Sequence, residues 1–490
     1  MKDQTKTPYF DEMKTYCTLD HVPLDVPGHH MGCQEDELKD FLGNIVYRFD
    51  ANSPRCIDNL NHPCGALQEA MDLMADAYDA KEAYFLINGT SSGILAMVLA
   101  TCGDNDKIIL PRNCHKSAIG ALTLSGAYPI FVNPMFDPEL GIANQPSYED
   151  YEKAILENPD AKAVFVINAT YFGVVTDLKK IVELAHKHNM YCIVDEAHGA
   201  HFNFDHNGPI SAMRAGADLS AASIHKTCGS LTQTSILLSN GSISKKHINK
   251  VLSMINTTSP SMILLASLDT ARKYTALYGQ EKIEEVKKLC SYAREEAKKI
   301  PGFNIFGREY FQSKGSFDYD ETKLLISIDG LQISGFDLFN IIHDDYGIQL
   351  ELGERYVGLG IGALGTKKEH IDRLLDALRD MSKRFYDEKA VKTVNNYPNV
   401  MSITAYKPRD VYNAPVKKVF LDEAIGKISK ESIMTYPPGI PLIIAGEVFT
   451  QEIIDRIKYY KTINGRVIMD YSDGYVSTVD EELFKPNKMK

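Results

Sequence analysis

The chain has no apolar run of the roughly 18 residues that a membrane helix needs. Its first residues, MKDQTKTPYFDEMKTY, contain no apolar signal-peptide core. There is no C-x-x-C pair, and the nine cysteines are an odd number scattered from Cys17 to Cys290. In a chain this size they read as reduced cytosolic thiols rather than a disulfide framework. Positive charge is not in excess either: Lys+Arg 53 against Asp+Glu 65 gives a net charge of −12 and a pI near 5.7. That balance argues against a general binder of nucleic acid or anionic membranes, which needs a basic surface. Internal repeats and low-complexity tracts are also missing. What is present is an ordinary globular composition, 44% hydrophobic and 24% charged over 490 residues. At roughly 150 residues per domain this is material for about three domains. The expectation is a cytosolic enzyme acting on small molecules.

Composition divides the chain into residues 1–60, 61–304, 305–392 and 393–490. The first stretch is loop-rich, with PGHHMG (27–32) and RCIDNLNHPCG (55–65). In the second, Leu67, Ala70, Met71, Met74 and Tyr78 repeat at helical spacing, and YFLI (84–87) follows as a buried strand. KIIL (107–110), AVFVIN (163–168) and YCIVD (191–195) are further β-branched runs, the last two separated by a helix with Leu178, Ile181, Val182 and Ala185 on one face. Such alternation predicts an α/β fold with a mainly parallel sheet covered by helices. KLLISI (323–328), GIQLEL (347–352) and a helix facing Ile371, Leu374, Leu375 and Leu378 inward predict a smaller α/β unit. VKTVNNYPNV (391–400) reads as a linker.

Three segments at the ends of these strands can carry chemistry, because α/β folds bind ligands there. INGTSSG (87–93) opens a helix with small hydroxylated residues, which suits a phosphate or an ordinary N-cap. IVDEAHGAH places Asp195 just past a strand, as a partner for a cation, a metal ligand or a base. His198 and His201 beside it invite a metal reading, although their spacing is poor for one. ASIHKTCGSLTQTS (222–235) sets Lys226 among small hydroxyls, where it is an exposed charge or a Schiff-base lysine. Together, a phosphate cradle, a strand-end Asp and a lysine 226 − 195 = 31 residues later are the parts that pyridoxal 5′-phosphate (PLP) requires. Two other patterns carry less. GIGALG (360–365) matches GxGxxG but reads as a strand-to-helix connection. His29–His30 and Cys56/His62/Cys64 do not supply four zinc ligands at finger or ribbon spacing.

With these segments in view, the chain resembles the fold-type I, PLP-dependent ornithine/lysine/arginine decarboxylases, particularly the short bacterial biosynthetic arginine decarboxylases. The resemblance runs through PGHHMG, HPCG, NGTSSG, RNCHKS (112–117), NATYFGVVTDL (168–178), VDEAHGAH (194–201), SIHKTCGSLTQTS (223–235), TTSPS (257–261), LLASLDTAR (264–272), YPPGIP (436–441) and Gly446–Glu447. It implies a PLP-binding large domain over 61–304, a small α/β domain over 305–392 and a C-terminal domain over 393–490. Lys226 would carry the cofactor, Asp195 would pair with its pyridine N–H, and Ala197 and His115 would cover its two faces. Ser91, Ser92, Ser223 and His225 would hold the phosphate. Thr257 would reach the phosphate of a neighbouring subunit, implying a homodimer with shared active sites. Lys226 or His225 would return a proton to Cα. The family pattern departs here at PGHH in place of PGHK and AGE in place of PGE. Because the chain begins almost at the PGH motif, the receiver-like N-terminal wing of the large decarboxylases, and their decamer, are not expected.

The resemblance also implies a basic amino-acid substrate, whose distal cation wants a carboxylate. Glu351, Glu354 and Glu447 are candidates, and each could equally be a solvated acid or an internal ion-pair partner. Arginine is favoured over lysine and ornithine by overall pattern alone. An aminotransferase, a metal hydrolase built on Asp195, His198 and His201, and a non-catalytic scaffold are the competing classes.

Overall fold

Short runs of β-branched and aromatic residues gain most by leaving water and lose least by being fixed in extended backbone, and here they form the buried strands. The computed structural model describes residues 2–20, 22–52, 54–389, 403–435, 440–462 and 467–485. The chain divides into two compact units. The first comprises Met1–Ala100, Ile193–Glu284 and Ala363–Gly365; the second comprises Thr101–Cys192, Glu285–Gly362 and Thr366–Lys490.

In the first unit, strands Glu82–Leu86, Ser235–Ser239 and Leu219–Ala222 are antiparallel neighbours in that order. The end of strand Tyr191–Asp195 then pairs in parallel with the last of them, Asp195 opposite Ala221. Helix Ala66–Ala77 buries Leu67, Ala70, Met71 and Met74, as the spacing predicts. The helix opening at Gly89 lies close on these strands: a Cβ at Gly93 would come within 2.8 Å of the Ala221 Cβ and 2.9 Å of Leu86. Glycine there lets the start of the helix sit directly on the strand ends.

The loop-rich expectation for residues 1–60 needs correction. Helices Pro8–Thr18, Glu37–Leu42 and Asn44–Phe49 occupy much of it. Tyr9, Met13, Tyr16 and Cys17 recur at helical spacing and are buried, and Pro8 starts the first helix where its missing N–H costs nothing. A buried ion pair fixes this segment. Arg272 donates to Asp269 at 2.6 Å and to the carbonyls of Gln4 and Lys6, while Asp269 accepts the backbone N–H groups of Tyr9 and Phe10.

Asp58 does similar work for the HPCG turn. Its carboxylate accepts from the backbone N–H groups of Asn59, Cys64, Gly65, Leu67 and Gln68, so it caps helix Ala66–Ala77 from outside the helix. Asp58→Ala strands several of these donors and is expected to cost about 2–3 kcal/mol. Urea unfolding checks this: the midpoint falls while the slope stays the same.

In the second unit, strands Ala163–Ile167, Lys107–Pro111 and Tyr128–Val132 are parallel neighbours in that order. Helix Leu178–Lys187 buries Leu178, Ile181, Val182 and Ala185. A separate antiparallel sheet has the order Phe303–Phe306, Lys323–Ile328, Val357–Ile361, Leu352–Gly353. Helix Lys368–Phe385 packs Ile371, Leu374, Leu375 and Leu378 into the same core as this sheet. GIGALG starts with the last two residues of strand Val357–Ile361 and continues as the connection that leads to this helix.

A strand over 347–352 is not found. Gly347 closes helix Gly335–Tyr346 in the left-handed region, and only Leu352 enters a strand. Ile348 and Leu350 still pack on the core, so the alternation reported burial without a full hydrogen-bonded ladder. The last part of the unit pairs Val416–Phe420 with Tyr475–Val479 and packs helix Gln451–Thr462 on Ile433, Ile443 and Phe449. The linker 391–400 and residues 436–439 of YPPGIP lie outside the described residues. Among the described residues no helix is long and apolar enough to cross a membrane.

Candidate active site

The strand-end residues of the first unit gather around Lys226. Strand Tyr191–Asp195 delivers Asp195, which is buried and accepts the Ala197 N–H at 3.0 Å. Burial pushes its carboxyl above the ordinary carboxylate range, while the Ala197 N–H and the Lys226 charge pull the other way. Glu196 locks the turn that follows, accepting from the Ala212 N–H at 2.8 Å and the Ser220 hydroxyl at 3.1 Å. His198, on that same turn and also buried, places Nε2 2.9 Å from Lys226 Nζ.

Lys226 and His225 are half-buried on the short helix Ile224–Thr227, which Ser223 precedes. His225 Nδ1 is 2.7 Å from the Thr234 carbonyl; that nitrogen therefore carries the hydrogen and donates it. The Ser223 hydroxyl is 2.5 Å from Thr90, which also meets Ser235 at 2.8 Å. Ser91 is half-buried in the first turn of the adjoining helix, and the buried Ser92 donates to the Gly89 carbonyl at 2.8 Å. These hydroxyls and the helix N-terminus could hold a phosphate, Lys226 could take an aldehyde, and Asp195 could face a cationic N–H. Thr257 is exposed, its hydroxyl 3.2 Å from Ser259 and its carbonyl accepting from Asn61.

The other candidates lie in the second unit. His115 caps helix Lys116–Ser125, its Nδ1 accepting from the Ser117 N–H at 3.2 Å and lying 2.8 Å from the Ser117 hydroxyl. The hydrogen therefore belongs on its Nε2. Glu447 is fully buried and pairs with Arg112 at 2.7 Å, also accepting the Ile444 N–H. Of the roles open to it in the sequence, this geometry is that of an internal ion-pair partner. Glu351 is exposed and accepts from the Tyr171 hydroxyl.

Glu354 is half-buried, and desolvation pushes its carboxyl up to about 8 against the pull of the Arg355 N–H and the Arg456 charge. Between its ordinary value of 4.5 and about 8 the folded chain holds a proton there that the unfolded chain has lost. Stability therefore falls as pH rises through that window. Glu354→Gln is expected to flatten the fall, as read from unfolding midpoints taken at intervals from pH 5 to about 8.

The sequence pattern offers His198 only as a metal ligand, whereas the structure sets it on Lys226. Among the described residues no three His, Cys, Asp or Glu side chains are grouped to hold a metal ion.

Comparison with known proteins places this geometry in a family. Residues 7–333 match the Orn/Lys/Arg decarboxylase major domain and residues 389–467 match its C-terminal domain. The chain is 42% identical to the arginine decarboxylase of Bacillus subtilis (strain 168), with 93% of each chain covered. It is 40% identical to that of Halalkalibacterium halodurans, with 94% of each covered. Among solved structures, the lysine decarboxylase of Francisella novicida superposes with a TM-score of 0.85 at 20% identity, covering 97% of this chain and 81% of that one. The constitutive lysine decarboxylase of E. coli gives 0.83 at 18%, covering 98% and 82%. The fold is thus the α/β fold of fold-type I enzymes, and the chain belongs to the Orn/Lys/Arg decarboxylase family.

Proposed function

We propose that this protein is a PLP-dependent arginine decarboxylase, releasing CO2 from arginine to form agmatine for polyamine biosynthesis. The observation that carries the reading is the convergence, at one end of the first unit's strands, of the buried Asp195, the half-buried Lys226 and the Thr90–Ser223–Ser235 hydroxyl cluster. The donor set fits PLP. A buried carboxylate that burial makes reluctant to ionise gains from a cationic pyridine N–H, and three linked hydroxyls beside a helix N-terminus suit a phosphate. The sequence relatives named arginine decarboxylases support the choice of substrate. When bound, PLP supplies an electron sink for the pair left behind as the Cα–carboxylate bond breaks.

The chain's own residues do the rest. The Lys226 amine would hold the aldehyde, and Asp195 would pair with the pyridine N–H. Ser91, Ser92, Ser223 and His225 hold the phosphate. Ala197 and His115 would cover the two faces of the ring and so orient the bound substrate. Lys226 and His225 are the groups that can return a proton to Cα. For the distal guanidinium, Glu351 is the carboxylate we favour, because Glu447 is already engaged by Arg112 and Glu354 resists ionisation. Thr257, exposed on its loop, reaches the phosphate of a second copy, so the working unit is a cytoplasmic homodimer. The large, small and C-terminal domains span 61–304, 305–392 and 393–490.

The test is kcat/KM for arginine, lysine and ornithine on the PLP-loaded protein. A site shaped for a planar, bidentate guanidinium is expected to prefer arginine by at least about a hundredfold. Equal or higher values for lysine or ornithine would move the substrate.

A further inference from the structure

The segment NATYFGVVTDL (168–178) carries none of the roles given above, yet it sets a hydroxyl on the carboxylate favoured for the distal guanidinium. We infer that Tyr171 is a positioning residue for Glu351, holding its carboxylate in the orientation that a planar guanidinium needs. The inference rests on the reading of Glu351 as the distal carboxylate, and all the residues it uses belong to the second unit.

Tyr171 stands on a tight turn. The Gly173 N–H donates to the Thr170 carbonyl at 2.9 Å, and the Val174 N–H donates to the Thr170 hydroxyl at 3.0 Å. Gly173 lies in the left-handed region, and a Cβ there would come within 2.7 Å of Lys323 Cγ, so only glycine lets the turn lie this close to strand Lys323–Ile328. The Gly173 carbonyl also accepts the Asp320 N–H at 2.8 Å. The half-buried Tyr171 ring packs against the core that contains Phe172, Tyr319 and Leu352. From this fixed ring the hydroxyl donates to Glu351 Oε1.

Glu351 is fixed at its backbone, where its N–H donates to the Leu359 carbonyl at 2.8 Å and the next residue, Leu352, pairs with Leu359. Its side chain is exposed. A solvated glutamate spreads over many rotamers, and ordering it when a ligand arrives costs part of the binding free energy. A hydroxyl on Oε1 makes that choice beforehand. Each carboxylate oxygen can accept twice, so Oε2 and the second lone pair of Oε1 still face a ligand. A guanidinium presents two parallel N–H donors in a fixed plane and gains from a carboxylate already turned to meet them.

The charges around the pair fit this role. Lys323 is fully buried beside the turn, and its Nζ lies 3.7 Å from Asp320. Burial pulls its ammonium below the ordinary lysine value, while Asp320 first and Glu351 second pull it back up. Lys323 thus has a counter-ion of its own, and the Glu351 charge is left for a ligand.

The test uses the full-length, PLP-loaded protein. Steady-state kcat and KM for arginine are measured in wild type, Tyr171→Phe, Glu351→Ala and the double variant. Tyr171→Phe keeps the ring and its packing, so its melting midpoint should stay within about 2 °C of wild type. Its KM is expected to rise about tenfold with kcat changed less than about threefold, the pattern of a lost contact to a distal, non-reacting group. Glu351→Ala should raise KM further, and adding Tyr171→Phe to it should then change KM by less than about twofold, because the two residues act through one carboxylate. An unchanged KM in Tyr171→Phe, or a tenfold rise in both backgrounds, overturns the inference while the reading of Glu351 stands. An unchanged KM in Glu351→Ala overturns both, and places the distal carboxylate elsewhere.

Discussion

Replacing Lys226 by alanine is expected to remove covalent retention of PLP and to lower decarboxylation by at least about a thousandfold. Two contributions are lost at once. The amine proposed to take the aldehyde is gone, and so is one of the two groups proposed to return a proton to Cα; general acid–base catalysis alone contributes roughly 10²- to 10⁴-fold. The fold should survive, because Lys226 is half-buried on a four-residue helix held by neighbouring contacts, such as the Cys228 N–H donating to the Ile224 carbonyl. Borohydride treatment and peptide mass spectrometry read the covalent part directly. Wild-type protein should carry the adduct on the peptide containing Lys226, and the variant should carry none. A variant that still traps PLP, or turns over arginine at a wild-type rate, would mean that another lysine does the work.

Asp195→Ala is the second large effect, and it differs in kind. The cofactor should still be trapped on Lys226, since the amine is intact, but turnover should fall by about 30- to 5000-fold. Truncating one partner of a buried charge pair costs roughly 2–5 kcal/mol, and each 1.36 kcal/mol is tenfold in rate. The Asp195 carboxyl is buried, accepts the Ala197 N–H and lies at the strand end in register with Ala221, so no movement of the turn can replace it. Asp195→Asn should leave the turn in place and still lose most of the rate, which separates charge from structure. Near-wild-type turnover in both variants would reassign the pyridine partner.

The parts of the molecule legible in the sequence are those set by local pattern. Strand Tyr191–Asp195 has the bounds that its β-branched run predicts, and helix Leu178–Lys187 buries the four residues that share its face. KLLISI forms a fully buried strand. Periodicity was less informative where burial and hydrogen bonding part company. Ile348 and Leu350 alternate inward, yet Gly347 and the chain after it make a connection rather than a strand. In helix Pro8–Thr18, Tyr9, Met13, Tyr16 and Cys17 carry the period, but the helix is held by Asp269 and Arg272, some 260 residues away, which local pattern does not state. Within the site, Lys226, Asp195 and the hydroxyl turn could be picked out as strand-end features. That His198 would meet Lys226 and not a metal depends on how the turn after Asp195 and the helix before Cys228 converge, which no spacing in the sequence states. Arg112 and Glu447 form another such pair, 335 residues apart.

The most direct test of the central claim is identification of what the PLP-loaded protein makes from arginine. Mass spectrometry of the reaction, with CO2 measured in parallel, is expected to find agmatine and CO2 in equal amounts, with no keto acid. A keto acid without CO2 would make this a transaminating enzyme on the same Lys226, and no product from arginine, lysine or ornithine would contradict the decarboxylase account itself.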